Sequence, residues 1–88
     1  MTFAEFYTFL IMRDAIHEIK PWVNHENAQF ATLKLSDGKI IEILYIIEND
    51  EPVYLGAWIY YTTENGNTLI NKIPSFQELE ELIQDANI

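Results

Sequence analysis

The chain has 88 residues and a formal net charge of −9, from 14 acidic and 5 basic side chains. This length makes a single acidic domain over residues 1–88, whose folding hides roughly 64% of the surface of the unfolded chain. A hydrophobic fraction of 49% excludes a disordered chain, and the scarcity of Lys and Arg argues against direct binding to nucleic acid or to an anionic membrane.

A helix is predicted over residues 3–19. Thr2 and Glu5 form a capping-box pattern, in which a hydroxyl and a carboxylate three residues apart satisfy backbone N–H groups at a helix start. The apolar side chains of this stretch form a broad stripe, so the helix is expected to be mostly buried. Lys20 and Pro21 end it, because the residue before a proline is pushed out of the helical region.

Four strands are predicted next, over residues 29–35, 40–47, 53–62 and 68–73. Asp-Gly at 37–38 and Asn-Gly at 65–66 indicate hairpins, since glycine tolerates the positive φ of tight turns. The first of these loops leaves two registers open, a two-residue turn or a bulged three-residue loop. The choice decides whether Phe30 and Tyr45 share a face with the aromatic residues of the third strand.

The last predicted element is an amphipathic helix from residue 76 onward. Ser75 and Glu78 make a second capping box, and the apolar residues that follow keep to one side of the helix. The order α-β-β-β-β-α predicts an α+β fold, a four-stranded antiparallel meander with two helices packed on one face. The fourth strand is short and polar, which is typical of a sheet edge.

The chain shows no targeting or membrane-spanning segment. Glu5 stands where a secretory signal has basic residues, and no segment approaches the roughly 20 apolar residues of a membrane span. We therefore expect a soluble protein of the cytoplasm.

Candidate catalytic residues are few. Asp14 and His17, three residues apart on the predicted helix, and His25 after it could bind a metal or move a proton. Ser36 and Ser75 occupy turn and capping positions, the glycines form no phosphate-binding loop, and cysteine is absent, which excludes thiolate chemistry. The sequence predicts a protein that is not an enzyme and holds no metal or cofactor. A small metal- or histidine-dependent enzyme is the alternative.

Aromatic side chains line one face of the third predicted strand. Tyr54, Trp58 and Tyr60 alternate with residues that point the other way. If the latter face the helices, the aromatic rings lie on the open face of the sheet, where Tyr and Trp commonly anchor partners. The alternative is that they only cover the far side of a small sheet.

The acidic side chains are concentrated in two places. They are Glu48, Asp50 and Glu51 around the central turn, and Glu78, Glu80, Glu81 and Asp85 on the last helix. Carboxylates one helical turn apart lie about 5–6 Å from each other, so they can present negative charge to a cationic groove much as a nucleic-acid backbone does. The alternative is that these side chains serve only solubility.

In size, acidity and lack of catalytic motifs the chain resembles the compact inhibitors that phages and mobile elements encode against nucleic-acid enzymes, including anti-CRISPR, anti-restriction and glycosylase-inhibitor proteins. The resemblance implies a module that blocks the basic surface of a nucleic-acid-handling protein, with charge from the acids and anchors from the aromatic residues. The alternative is a structural or homo-oligomerising domain that buries the open sheet face or the edge strand against a second copy.

Overall fold

The computed structural model describes residues 1–86, with the side chains of residues 1–84. The elements are α1 (Phe3–Met12), β1 (Ile16–Pro21), β2 (Ala28–Lys34), β3 (Lys39–Glu48), β4 (Glu51–Thr63), β5 (Gly66–Ile73) and α2 (Phe76–Ala86). The strands form one antiparallel meander in the order β1-β2-β3-β4-β5. The α+β class is confirmed, and the sheet has five strands where the sequence predicted four.

The additional strand is β1. The sequence predicted that the first helix extends to residue 19, and this part of the prediction is wrong because α1 ends at Met12. Asp14 adopts a left-handed conformation with φ 55°. Its N–H donates to the carbonyl of Ile11 at 3.0 Å, and the N–H of Ala15 donates to the carbonyl of Leu10 at 2.9 Å. This is the Schellman arrangement that ends many helices, normally with glycine at the left-handed position. Because aspartate stands there instead, the sequence carries no obvious stop before β1.

Substitutions at Asp14 test this helix end. Aspartate tolerates the left-handed region better than alanine, and glycine has no Cβ to clash. We expect Asp14→Ala to lower the free energy of unfolding. The Asp14→Gly variant should have a free energy of unfolding about 1 kcal/mol higher than that of the Asp14→Ala variant. Urea unfolding of the two variants measures this difference. Equal stabilities would show that the left-handed backbone carries no strain.

The starts of both helices agree with the predicted capping residues. The hydroxyl of Thr2 accepts from the N–H of Glu5 at 3.1 Å, and the carboxylate of Glu5 accepts from the N–H of Thr2 at 3.0 Å. The hydroxyl of Ser75 accepts from the N–H of Glu78 at 3.2 Å. Neither of the two helices within residues 1–86 has the length and apolar character needed to span a membrane.

Both helices pack on the same face of the sheet, and Phe3 lies at the point where they meet. Its ring centroid is 6.0 Å from that of Tyr45 on β3, 5.4 Å from that of Tyr54 on β4 and 5.6 Å from that of Phe76 on α2. The apolar core around it consists of Phe6, Leu10, Ala31, Leu33, Leu35, Ile41, Ile43, Ala57, Ile59, Ile73, Leu79 and Ile83. One side chain therefore joins α1, the sheet and α2.

The loop between β2 and β3 resolves the register that the sequence left open. It has three residues: the N–H of Leu35 donates to the carbonyl of Lys39 at 2.8 Å, and Gly38 adopts φ 89°. With this loop Phe30 pairs with a residue next to Tyr45 and not with Tyr45 itself. Neighbouring residues of a strand point to opposite faces, so Phe30 lies on the open face and Tyr45 lies in the core under the helices.

Candidate functional site

The sheet face opposite the helices carries a row of aromatic side chains, which we call the aromatic face: Trp22, Phe30, Trp58 and Tyr60. The Trp22 and Phe30 ring centroids lie 6.2 Å apart, and those of Phe30 and Trp58 lie 6.3 Å apart. Each of the four side chains is half-buried. No helix of the described chain covers them, so the exposed parts of the rings are accessible to another surface.

Trp58 is held flat by the glycine two residues before it. A Cβ atom on Gly56 would lie 3.7 Å from the far edge of the Trp58 ring, so the indole lies across the glycine backbone. Leu44, which pairs with Gly56, is only 8% exposed although no helix lies over it. The aromatic face is therefore a packed, preformed surface.

Tyr54 does not belong to this face, and the expectation that it shares a face with Trp58 is wrong. In the pairing of β3 with β4, Tyr45 faces Tyr54 and Leu44 faces Gly56, which leaves Leu55 unpaired in a β-bulge. The bulge reverses the alternation, so Tyr54 points to the helices. Its hydroxyl donates to the carbonyl of Ile73 at 2.7 Å. Burial, together with the nearby carboxylate of Glu78, raises the pKa of Tyr54 to about 12.

The turn between β3 and β4 holds three exposed acids, Glu48, Asp50 and Glu51, which we call the acidic turn. Asn49 and Asp50 have φ 50° and 65°, the type I′ geometry of a two-residue hairpin. Glu48 and Glu51 therefore stand directly opposite each other. Like charges at such a position destabilise a hairpin. Among the described side chains no cation forms an ion pair with any of the three.

The outer side of α2 carries the other group of acids, which we call the acidic helix face: Glu78, Glu80 and Glu81. Glu78 and Glu81 are exposed and Glu80 is half-buried, while Leu79 and Ile83 on the inner side are buried. The side chain of Asp85, the fourth predicted acid of this helix, lies outside the described side chains. Within residues 1–84 the ion pairs join Glu18 to Lys20 and Asp37 to Lys39, so the charge of this helix is not neutralised by them.

The acids of α2 and the predicted aromatic anchors Trp58 and Tyr60 do not form one surface. Trp58 and Tyr60 lie on the face of the sheet opposite the helices, whereas the acidic helix face belongs to the helical layer. The acidic turn lies at one end of the sheet, and the pairing of β3 with β4 places Glu48 and Glu51 on the same side as Trp58. A flat partner can therefore contact the aromatic face or the acidic helix face, but not both.

The predicted cluster of histidines and carboxylates is not assembled on a helix. Asp14 lies beyond the end of α1, His17 lies on the edge strand β1 beside an irregularity in its pairing, and His25 lies in the following loop. The ring of His25 stacks on Trp22, with centroids 6.2 Å apart and planes 10° apart. In the part of the chain that the structure describes, no three or more His, Asp or Glu side chains are grouped to hold a metal ion.

Trp22 is the residue of the aromatic face that the sequence did not reveal. It follows Pro21 directly and precedes a polar loop, so it belongs to no alternating pattern. The backbone N–H of Trp22 donates to the carbonyl of Ala28 at 2.9 Å. This hydrogen bond holds the residue beside β2, where its indole lies against Phe30. The hydrogen bond across the loop, and not local periodicity, brings it to the face.

No family model matches the chain, and comparisons with curated proteins and with solved structures also give no match. Fold alone does not define function. The chemistry of the aromatic face, the acidic turn and the acidic helix face therefore carries the functional argument.

Proposed function

We propose that the protein is a small, non-catalytic protein-binding module whose partner is a basic protein. In the particular form that we favour, it is an inhibitor that occupies the basic surface of a nucleic-acid-handling protein. The observation that carries this proposal is the acidic turn, where Glu48 and Glu51 stand directly opposite each other with no cation paired to either among the described side chains.

A like-charge pair across a hairpin costs folding stability. A cation supplied by a partner would remove that repulsion and add attraction, so the arrangement is unfavourable in the free protein and favourable in a complex. Solubility alone does not require the two carboxylates to face each other.

The acidic helix face supports the same kind of partner. Glu78 and Glu81 are separated by one helical turn, which places carboxylates about 5–6 Å apart on an exposed surface. Residues 76–84 include no Lys or Arg. A groove lined by Lys and Arg that normally accepts phosphates would meet a similar succession of negative charges here. Concentrated charge of one sign also speeds association with a partner of the opposite sign.

Replacing the facing carboxylates by amides separates binding from stability. We expect Glu48→Gln together with Glu51→Gln to raise the free energy of unfolding by about 0.2–1 kcal/mol, because the cross-strand repulsion disappears. The same double variant should bind more weakly to the basic partner captured from the native host. Urea unfolding and titration calorimetry measure the two effects on the same preparation.

The control variant carries Glu26→Gln and Glu64→Gln, which changes the net charge equally at two exposed loop positions outside the acidic turn. It should retain the affinity of the unsubstituted protein. Equal weakening by both double variants would show that only total charge matters. Unchanged affinity in the Glu48 and Glu51 variant, or a captured partner without a basic surface, would contradict the proposal.

A further inference from the structure

We infer that the aromatic face is the docking surface for a second copy of this chain, giving a dimer with the two sheets face to face and the helices outside. The inference does not depend on a basic partner. It stands on the apolar character, the charge composition and the dimensions of the aromatic face.

The centre of this face is apolar except for Glu42. β3 has apolar residues on both faces, with Ile41 and Ile43 under the helices and Ile40 and Leu44 on the aromatic face. A strand that is apolar on both faces is typical of a sheet covered on both sides. Within residues 1–86 of the single chain only one side has a covering layer.

The charged residues of the aromatic face favour a second copy of this chain as its binding partner. One row across the five strands joins Glu18, Thr32, Glu42, Trp58 and Lys72 as successive partners, and directly paired residues share a face. Glu18, Glu42 and Lys72 therefore all belong to the aromatic face.

Two further lysines belong to the same face, since Lys20 pairs with Phe30, and Lys34 shares a row with Tyr60. Glu48 follows Glu42, Leu44 and Ile46 in alternation along β3 and pairs with Glu51, so both glutamates belong to the same side at its turn end. Three of the 5 basic residues of the chain thus lie among four glutamates of the sheet, in a protein of net charge −9. A two-fold interface must be complementary to itself. This face presents both signs in near balance, so two copies can meet on it without the repulsion that their acidic surfaces would cause.

The dimensions of the face suit a stable dimer. The five strands have 6, 7, 10, 13 and 8 residues. A stretch of about seven residues on each, at about 3.3 Å per residue and about 4.8 Å between strands, spans roughly 24 Å by 23 Å, or about 550 Å² in projection. Two copies would together bury about 1,100 Å² in projection, just above the about 1,000 Å² that a specific interface needs. The face is also centred on Trp and Tyr, the residues most enriched in interface hot spots.

Light scattering and sedimentation equilibrium test the inference on the full chain. We expect about twice the 10.3 kDa of one chain at concentrations up to about 100 µM, where a specific dimer is populated. Tyr60→Ser should weaken dimerisation at least about tenfold, because it removes an aromatic contact in the interface. Trp58→Ser should give a monomer.

The matched control is Tyr61→Ser, which removes the same side chain from the next residue of β4, on the opposite face and 51% exposed. It should leave the dimer intact. A 10.3 kDa mass for the unsubstituted chain at every concentration would overturn the inference. Equal weakening of the dimer by Tyr60→Ser and Tyr61→Ser would also overturn it. A dimer that is lost only with Thr68→Lys would overturn it as well, because that result indicates pairing along the β5 edge. Circular dichroism checks that each variant is folded.

Discussion

Phe3→Ala lowers the free energy of unfolding by about 3–5 kcal/mol, the range for an aromatic side chain removed from a core. The ring is 8% exposed and lies against rings of α1, β3, β4 and α2. Its removal leaves a cavity at the one point where both helices meet the sheet. A small domain has a free energy of unfolding of only about 5–15 kcal/mol, so this variant should keep little of its stability.

Urea unfolding followed by far-UV circular dichroism measures the change. Met12→Ala, on the same helix but 82% exposed, is the control and should change stability by less than about 0.5 kcal/mol. A loss below about 1 kcal/mol for Phe3→Ala would show that the helices pack independently of each other.

The second large effect is a loss of stability in alkali. Burial and the hydroxyl of Tyr7 raise the pKa of Tyr45, and burial together with Glu78 raises the pKa of Tyr54 to about 12. In the unfolded chain both phenols ionise near pH 10. The contribution of these tyrosines is therefore fully present below about pH 10 and is lost as the pH rises toward about 12, since the unfolded state releases its protons first.

Each such phenol lowers the free energy of unfolding by up to about 1.4 kcal/mol per pH unit in this window, and solvent screening at the half-buried Tyr54 makes its share smaller. The double variant Tyr45→Phe and Tyr54→Phe should be less stable at pH 7, because Tyr45 donates to Gln29 at 2.8 Å and Tyr54 donates to Ile73. Its stability should nevertheless change less between pH 9 and 12. A pH dependence as steep as that of the unsubstituted chain would contradict this assignment.

Features set by a few neighbouring residues could be predicted from the sequence. The hydroxyl and carboxylate of Thr2 and Glu5 act within one turn of helix, and Asp37-Gly38 defines its own hairpin. The end of α1 was missed because the left-handed position is taken by Asp14 and not by glycine. Because the sequence shows no glycine there, the apolar residues of β1 were assigned to the same helix as those of α1.

The composition of the aromatic face depended on long-range pairing. Alternation along β4 assigned Tyr54 to the side of Trp58, and a single unpaired residue, Leu55, reversed it. Gly56 was the available signal, since an isolated glycine inside a strand often marks a bulge. The position of the bulge is fixed by the pairing of two strands, which local periodicity does not contain.

The two layers of the fold carry surfaces of different chemistry. The sheet side carries the aromatic rings among charges of both signs, with the acidic turn at its end, and the helical side carries the acidic helix face without paired cations among the described residues. A dimer formed through the aromatic face would leave both acidic helix faces exposed. Such a dimer could bind two basic partners, or two sites on one partner, with the gain in affinity that two linked sites provide.

The salt dependence of binding to the basic partner captured from the native host tests the central claim most directly. At about 0.5 M salt the Debye length falls to a few Å, and attraction between exposed charges is largely screened. We expect the affinity to fall at least about tenfold between about 0.05 M and 0.5 M salt, and double-stranded DNA to compete for the same site. An affinity that is unchanged over this range, with no competition by DNA, would contradict the account.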